Sequence, residues 1–247
     1  MKKSLLSVFA FVLSVAVMAQ ETPAEETASP KKAKSTVNLS GRANDHFMIQ
    51  LGYAGWSNMP DSIKTSGLAR TGNVYFMFDF PFKTNNKLSV GIGAGIGTDN
   101  IYFSKTGINM RSTGSTMTFT DLADTSYFKK YKLTTAFLEA PIELRYVANP
   151  GKSDKSFKFA IGAKIGTLLG AKTKGKKFYD DVTGNTLEYT EKVASKRFFS
   201  SNRLAVTGRV GYGNFTVFGA YQINAFIKEG VGPDVRPFSI GLAFSGL

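Results

Sequence analysis

From residue 46 onward, apolar side chains recur at every second position, in runs separated by polar or glycine-containing stretches. Period two belongs to an extended strand whose two faces meet different surroundings. Eight such runs are read, at about 47–56, 72–82, 88–103, 131–148, 157–171, 202–212, 215–227 and 236–245. In the first, Phe47, Ile49, Leu51 and Tyr53 share one face. In the second, Val74, Phe76, Phe78 and Phe80 stand opposite Tyr75, Met77 and Asp79. In the third, Leu88, Val90, Ile92, Ala94 and Ile96 alternate with Ser89 and four glycines.

The connections alternate in length. KTNNK (83–87), NPGKSDK (149–155) and the pair Gly213-Asn214 are short, whereas the other joins are longer, two of them over 20 residues. Short turns on one rim and long loops on the other are the pattern of an outer-membrane barrel. The expected fold is therefore all-β, an eight-stranded antiparallel up-and-down transmembrane β-barrel over 46–247, with both strand termini on the short-turn rim. A two-residue turn at Gly213-Asn214 sets a register: Tyr212 with Phe215, Val210 with Val217, Val206 with Tyr221 and Leu204 with Ile223 on the apolar face. Thr207 with Ala220, Ala205 with Gln222 and Arg203 with Asn224 fall on the other. A slip by one residue would mix the faces.

Alternation alone fits a soluble barrel as well, so the direction of each face rests on the less apolar one. It carries many glycines and charges of both signs: Asp79, Glu139, Glu143, Arg145, Lys158, Lys164, Arg203 and Arg209. Small residues and self-compensating charges suit an eight-stranded lumen, which is only wide enough for side chains. These eight residues are the expected lumenal charge network, with Glu139 near Lys164 across the 149–155 turn. Phe47, Phe80, Phe82, Tyr146, Phe157, Tyr212, Phe215 and Phe244 are expected to form one aromatic girdle. Trp56, Tyr102, Phe103, Tyr131, Phe226 and Phe238 are expected to form the other. Pro141 inside a strand removes a ladder donor and points to a bulge there.

The N-terminus changes the picture of compartment. Lys2 and Lys3, an apolar run from Leu5 to Met18, and Val17-Met18-Ala19 follow the plan of a secretory signal peptide, residues 1–19. The apolar run is shorter than the roughly 20 residues a spanning helix needs. Residues 20–45 are polar, with two prolines, and read as a flexible periplasmic lead-in. The absence of cysteine excludes a disulfide framework and a thiolate metal site. The formal charge of +13 falls by two once Lys2 and Lys3 are removed. Export argues against nucleic acid as the partner of so basic a chain, and favours anionic headgroups. The expected location is the bacterial outer membrane.

The fourth run carries a more specific signal. TAFLEAPIELRYVANPG (135–151), with Leu138, Glu139, Pro141, Leu144 and Tyr146, resembles the "YLEIPLLLKY" segment of the PorT-like outer-membrane β-barrel family of the Bacteroidetes. FKFAIGAKIGTLLG (157–170) and the closing RPFSIGLAFSGL are also similar to it. The resemblance implies the barrel and its location more than an activity. Its name-giving member belongs to the type IX secretion system, so an accessory role in a secretion or assembly machine is the alternative it implies. Leu247 departs from the aromatic end usual among such barrels, and Phe244 stands in as the candidate assembly signal.

Little in the chain reads as catalytic. His46, the sole histidine, falls at the short-turn end of the first run without a serine beside it. Glu139 and Glu143 are roughly 13 Å apart by strand rise, too far for a glycosidase pair. GIGAGIG (91–97) lacks the third glycine and the strand-to-helix switch of a phosphate cradle. Asp180 and Asp181 alone make a weak cation site. No enzyme, cofactor or metal is expected. What remains is the basic character of the long loops: Lys105, Arg111, Lys172, Lys174, Lys176, Lys177, Lys192, Lys196 and Arg197. The expected partners are the lipid bilayer and lipopolysaccharide, with an envelope protein as a second class and no nucleic acid.

Overall fold

The computed structural model describes residues 46–65, 69–121, 130–180 and 186–245, with backbone alone over 177–180 and 186–189. The leader (1–19) and the polar stretch 20–45 lie outside the described residues, as do Asp181 and Leu247. Alternating residues give strands, in chain order β1 (Phe47–Ser57), β2 (Arg70–Pro81), β3 (Leu88–Phe103), β4 (Thr106–Asn109), β5 (Thr118–Asp121), β6 (Lys130–Val147), β7 (Phe157–Asp180), β8 (Thr186–Ala194), β9 (Asn202–Tyr212), β10 (Phe215–Gln222) and β11 (Arg236–Ser245). Eight of them pair in the circular order β1, β2, β3, β6, β7, β9, β10, β11, every pair antiparallel. The ring closes where β1 pairs β11, from Met48 with Ser245 to Ser57 with Arg236. This is a closed eight-stranded antiparallel barrel without an open edge in the ring.

The β9–β10 hairpin has the register the turn dictates, from Tyr212 with Phe215 to Ala205 with Gln222. Gly213 sits at φ +59, the left-handed region that glycine enters freely, and a Cβ there would run into the carbonyl oxygen of Asp154. The seventh run is shorter than its apolar pattern, because the Asn224 side chain takes over from the backbone. Its Oδ1 accepts the Leu204 N–H (2.8 Å) and its Nδ2 donates to the Asn202 carbonyl (2.8 Å). Beyond it Phe226 and Ile227 turn inward and are buried.

The fifth run is longer than 157–171, and this corrects the picture of a long basic loop. β7 continues to Asp180 and pairs there with the start of β6 and with β8. Lys172, Lys174, Lys176 and Lys177 thus lie on β7, and Lys192 on β8, rather than in irregular loops. The only register shift along β6–β7 falls where Ala136 pairs Gly170 but Phe137 pairs Leu168, so Leu169 is an extra residue. This bulge reverses the inward parity. Below it Lys158, Ala160, Lys164 and Leu168 are buried; above it Ala171, Thr173 and Gly175 are buried, and Lys172 and Lys174 are exposed. The bulge expected at Pro141 is absent: Pro141 pairs Lys164 in unbroken register. Facing β3, the pairing lapses around Pro141 without a shift, resuming from Ile92–Ile142 to Gly95–Glu139, as a missing N–H requires.

The barrel is inverted relative to a soluble domain. Phe76, Phe78, Leu138, Leu144, Ile161, Ile165, Val217 and Leu242 are exposed outward, while Glu139, Glu143, Lys164, Arg203 and Arg209 are buried. An apolar surface continuous around a closed barrel far exceeds what a monomer leaves in water. No helix among the described residues is long and apolar enough to cross a membrane.

Candidate functional site: the filled lumen and the outer end

On the short-turn side the lumen holds two layers of charge. In the upper layer Glu139 accepts from Lys164 Nζ (3.0 Å), from Arg203 Nη1 (3.0 Å) and from the Tyr75 hydroxyl. Arg203 also reaches Asp99 (2.5 Å) through Nη2 and Gln222 Oε1 (3.0 Å) through Nε. Two carboxylates thus meet two cations. In the lower layer Arg209 grips both oxygens of Glu143, at 3.1 Å through Nε and 2.5 Å through Nη2. Arg145 Nε shares Glu143 Oε2 (3.0 Å) and its Nη1 lies 3.6 Å from Asp79. Asp79 also accepts from the Ser89 hydroxyl (2.6 Å). Again two carboxylates meet two cations, with buried Lys158 toward the rim. Multiple charge-assisted bonds per ion are what a buried pair needs to offset desolvation.

All eight sequence-derived lumenal residues therefore point inward, and Glu139 meets Lys164 as the turn implies. Asp99, Tyr75 and Gln222 complete the upper layer; the sequence puts Tyr75 and Gln222 on the inward face without joining them to the network, and Asp99 was missed. Their signal is parity: Asp99 lies two residues beyond Gly97, Tyr75 two before Met77, and Gln222 opposite Ala205. The glycines of β3 make the room. A Cβ on Gly97 would meet Glu139 Oε2 at 2.6 Å, one on Gly95 the Tyr75 ring at 2.6 Å, and one on Gly91 the Arg145 guanidinium. The void beside Asp99, Lys164 and Arg203 holds about 20 Å³, room for one water.

Above this the lumen turns apolar. Ala54, Trp56, Ile101, Phe103, Tyr131, Leu133 and Phe137, from the strand tops, pack with Ile108, Met117, Phe198, Phe199, Phe226 and Ile227 of the loops. Trp56 lies 5.4 Å from Phe103 and 5.5 Å from Phe226, and Phe199 5.1 Å from Phe226, ring centre to ring centre. Trp56, Phe103, Tyr131 and Phe226 are thus not an outer girdle. They sit at inward parity and close the lumen, while Tyr53, Tyr102, Tyr221 and Phe238 stand on the outward side. Of the aromatics expected at the short-turn rim, Phe80, Phe82, Tyr146, Phe157, Tyr212 and Phe215 are exposed, and Phe47 and Phe244 are half-buried. The Arg203 guanidinium lies 3.8 Å over the Phe137 ring and joins the two regions.

The loops are knit by backbone bonds: Ser104 N to Lys64 O (2.8 Å), Met117 N to Val231 O (2.8 Å) and Ser200 N to Phe226 O (2.9 Å). Arg197 donates to the carbonyls of Ser112 (3.0 Å), Thr113 (3.3 Å) and Gly114 (3.0 Å). Lys105, at φ +54, Arg111 and Lys196 are exposed on the same end. His46 lies elsewhere: its Nδ1 bonds the Met77 carbonyl (3.0 Å) and its ring stacks on Phe76 at 5.7 Å. Among the described residues no group of three or more His, Cys, Asp or Glu gathers as a metal site would need.

A closed barrel, apolar outside and ionic within, defines the class of integral membrane β-barrels. The chain belongs to the family of the outer membrane protein beta-barrel domain, whose sequence profile matches residues 18–229. No curated protein matches it.

Proposed function

We propose that the chain is a non-enzymatic barrel of the bacterial outer membrane whose basic outer end binds envelope components, lipopolysaccharide or a partner protein. The observation that carries this reading is the doubly closed lumen. Among the described residues two ionic layers occupy the short-turn half and an apolar plug the other, so the lumenal side chains are engaged with one another rather than facing an open site. Chemistry or recognition is then left to the outside, where the lysines are. His46, bonded to a carbonyl and stacked on phenylalanine, supports no catalytic role. The PorT-like likeness rests on residues that the barrel itself employs: Glu139 in the upper layer, and Leu138, Leu144 and Tyr146 on the apolar exterior. It therefore supports the fold more than a place in a secretion machine.

The chain lacks cysteine, so single cysteines report topology cleanly. A membrane-impermeant maleimide is expected to label Ser115→Cys, in the β4–β5 turn, on intact cells, and to label Thr84→Cys, in the β2–β3 turn, only after lysis. The reverse pattern would sink the reading. A stoichiometric protein that stays bound through purification in mild detergent would favour the machine-subunit alternative.

A further inference from the structure

The bulge at Leu169 presents an ordered surface that a loop would not. Above it β6, β7 and β8 form a three-stranded sheet whose outward positions align in rows: Lys130, Lys176, Thr190; then Lys132, Lys174, Lys192; then Thr134, Lys172, Ala194. Six lysines and no carboxylate occupy this grid. Directly opposed side chains on neighbouring strands start only about 5 Å apart, and like charges so placed are destabilising. The repulsion cannot be relieved by slippage, because Tyr131, Leu133, Ala171 and Val193 bury the opposite face. Lys132 is further fixed: its Nζ donates to Asn100 Oδ1 (2.9 Å) and lies 5.5 Å over the Tyr102 ring.

The height of the grid matters as much as its charge. Lys172 lies three residues above Leu169, which is exposed on the apolar exterior, hence about 10 Å along the strand. On a strand tilted by about 40° that is roughly 8 Å along the membrane normal, the level of the headgroups when the apolar exterior fills the hydrocarbon layer. Six lysines on strands held in register, facing outward from that level upward, match closely spaced phosphates. We propose that this grid binds the phosphate groups of an anionic glycolipid in the outer leaflet. The proposal rests on the outer-membrane reading above and deepens it by naming the ligand chemistry and the residues.

The test uses the full chain folded in neutral detergent and titrated with three probes: phosphorylated lipid A, the same lipid stripped of phosphate, and inorganic pyrophosphate. Phosphorylated lipid A is expected to bind with an affinity that falls as salt rises, pyrophosphate more weakly, and the stripped lipid least. The middle-row variant Lys132→Gln/Lys174→Gln/Lys192→Gln should lose about tenfold or more, whereas Lys83→Gln/Lys87→Gln on the other rim should lose nothing. A folded membrane barrel is expected to migrate differently on SDS gels before and after boiling, and this gel shift confirms that each variant is folded. Equal binding of the stripped lipid, or full binding by the middle-row variant, would overturn the proposal and leave the lysines to an acidic protein partner. Surface labelling at Ser115→Cys separates the two failures: labelled protein without phosphate preference defeats this inference alone, and unlabelled protein defeats the reading beneath it.

Discussion

The two halves of the lumen are filled by opposite means. Toward the short turns the buried side chains are mostly charged or polar, with Met48, Met77 and Phe218 packed among them, and come from the strands themselves; toward the long loops nearly all are apolar and half come from the loops. In the first half each ion depends on particular partners at hydrogen-bond distance, so removing one strands another. In the second half contacts are non-directional and a loss is shared among neighbours. The ionic half thus ties stability to the ring of strands, and the apolar half ties the loops to the ring. The single tryptophan, Trp56, sits in the apolar half and reports on it. The gel shift on boiling reports on the ring.

The sharpest break is Glu139→Gln. It leaves Lys164 and Arg203 short of a carboxylate in a buried layer, and should cost about 3–5 kcal/mol. Urea unfolding followed by gel mobility is expected to show that loss, and a second change, Lys164→Met, should restore part of it. Next comes Phe226→Ala, worth about 3 kcal/mol at the plug. Trp56 emission is expected to shift to the red and trypsin to cut at Lys196 and Lys228, while the gel shift persists. A variant that lost the gel shift as well would erase the distinction between the halves. Gly97→Ala crowds Glu139 and Asn73 from inside the ring and should cost about 2 kcal/mol by overpacking, visible in the same urea titration. The smallest effect is expected from Arg197→Ala. Removing its three carbonyl contacts should loosen only the loops, by about 1 kcal/mol, seen as faster proteolysis with unfolding of the ring unchanged.

The ionic half was legible in the sequence and the apolar half was not. Period two places Glu139, Glu143, Lys164 and Arg209 on one face, and the short 149–155 turn brings Glu139 to Lys164. β3, β9 and β11 end at the residues their patterns indicate. The plug escaped because at Trp56, Phe103 and Leu133 the apolar side of the alternation changes from the outward face to the inward one, and the pattern alone does not show the change. Aromatics at strand ends then look like a girdle. The placement of Lys172 and Lys174 escaped for a different reason. Strict alternation carries them inward, and one extra residue, Leu169, turns them out. Nothing in the local composition marks Leu169, since the bulge answers to pairing with Ala136 and Phe137 on another strand. β8 and the β4–β5 hairpin are likewise made by pairing within polar segments that lack period two.

The β1–β11 seam has a consequence for the order of folding. It pairs Met48 with Ser245, residues almost the whole length of the described chain apart. All other neighbours in the ring are consecutive or separated only by the short excursions through β4–β5 and β8. Hairpins can therefore zip in the order of synthesis, each at a small loop-closure cost, but the ring cannot shut until its last strand has arrived. Until then β1 and β11 are two unpaired edges on an apolar sheet, the state most prone to pair with other chains. Closure of that one seam is the committing event, and losing β11 would cost the whole barrel rather than one-eighth of it.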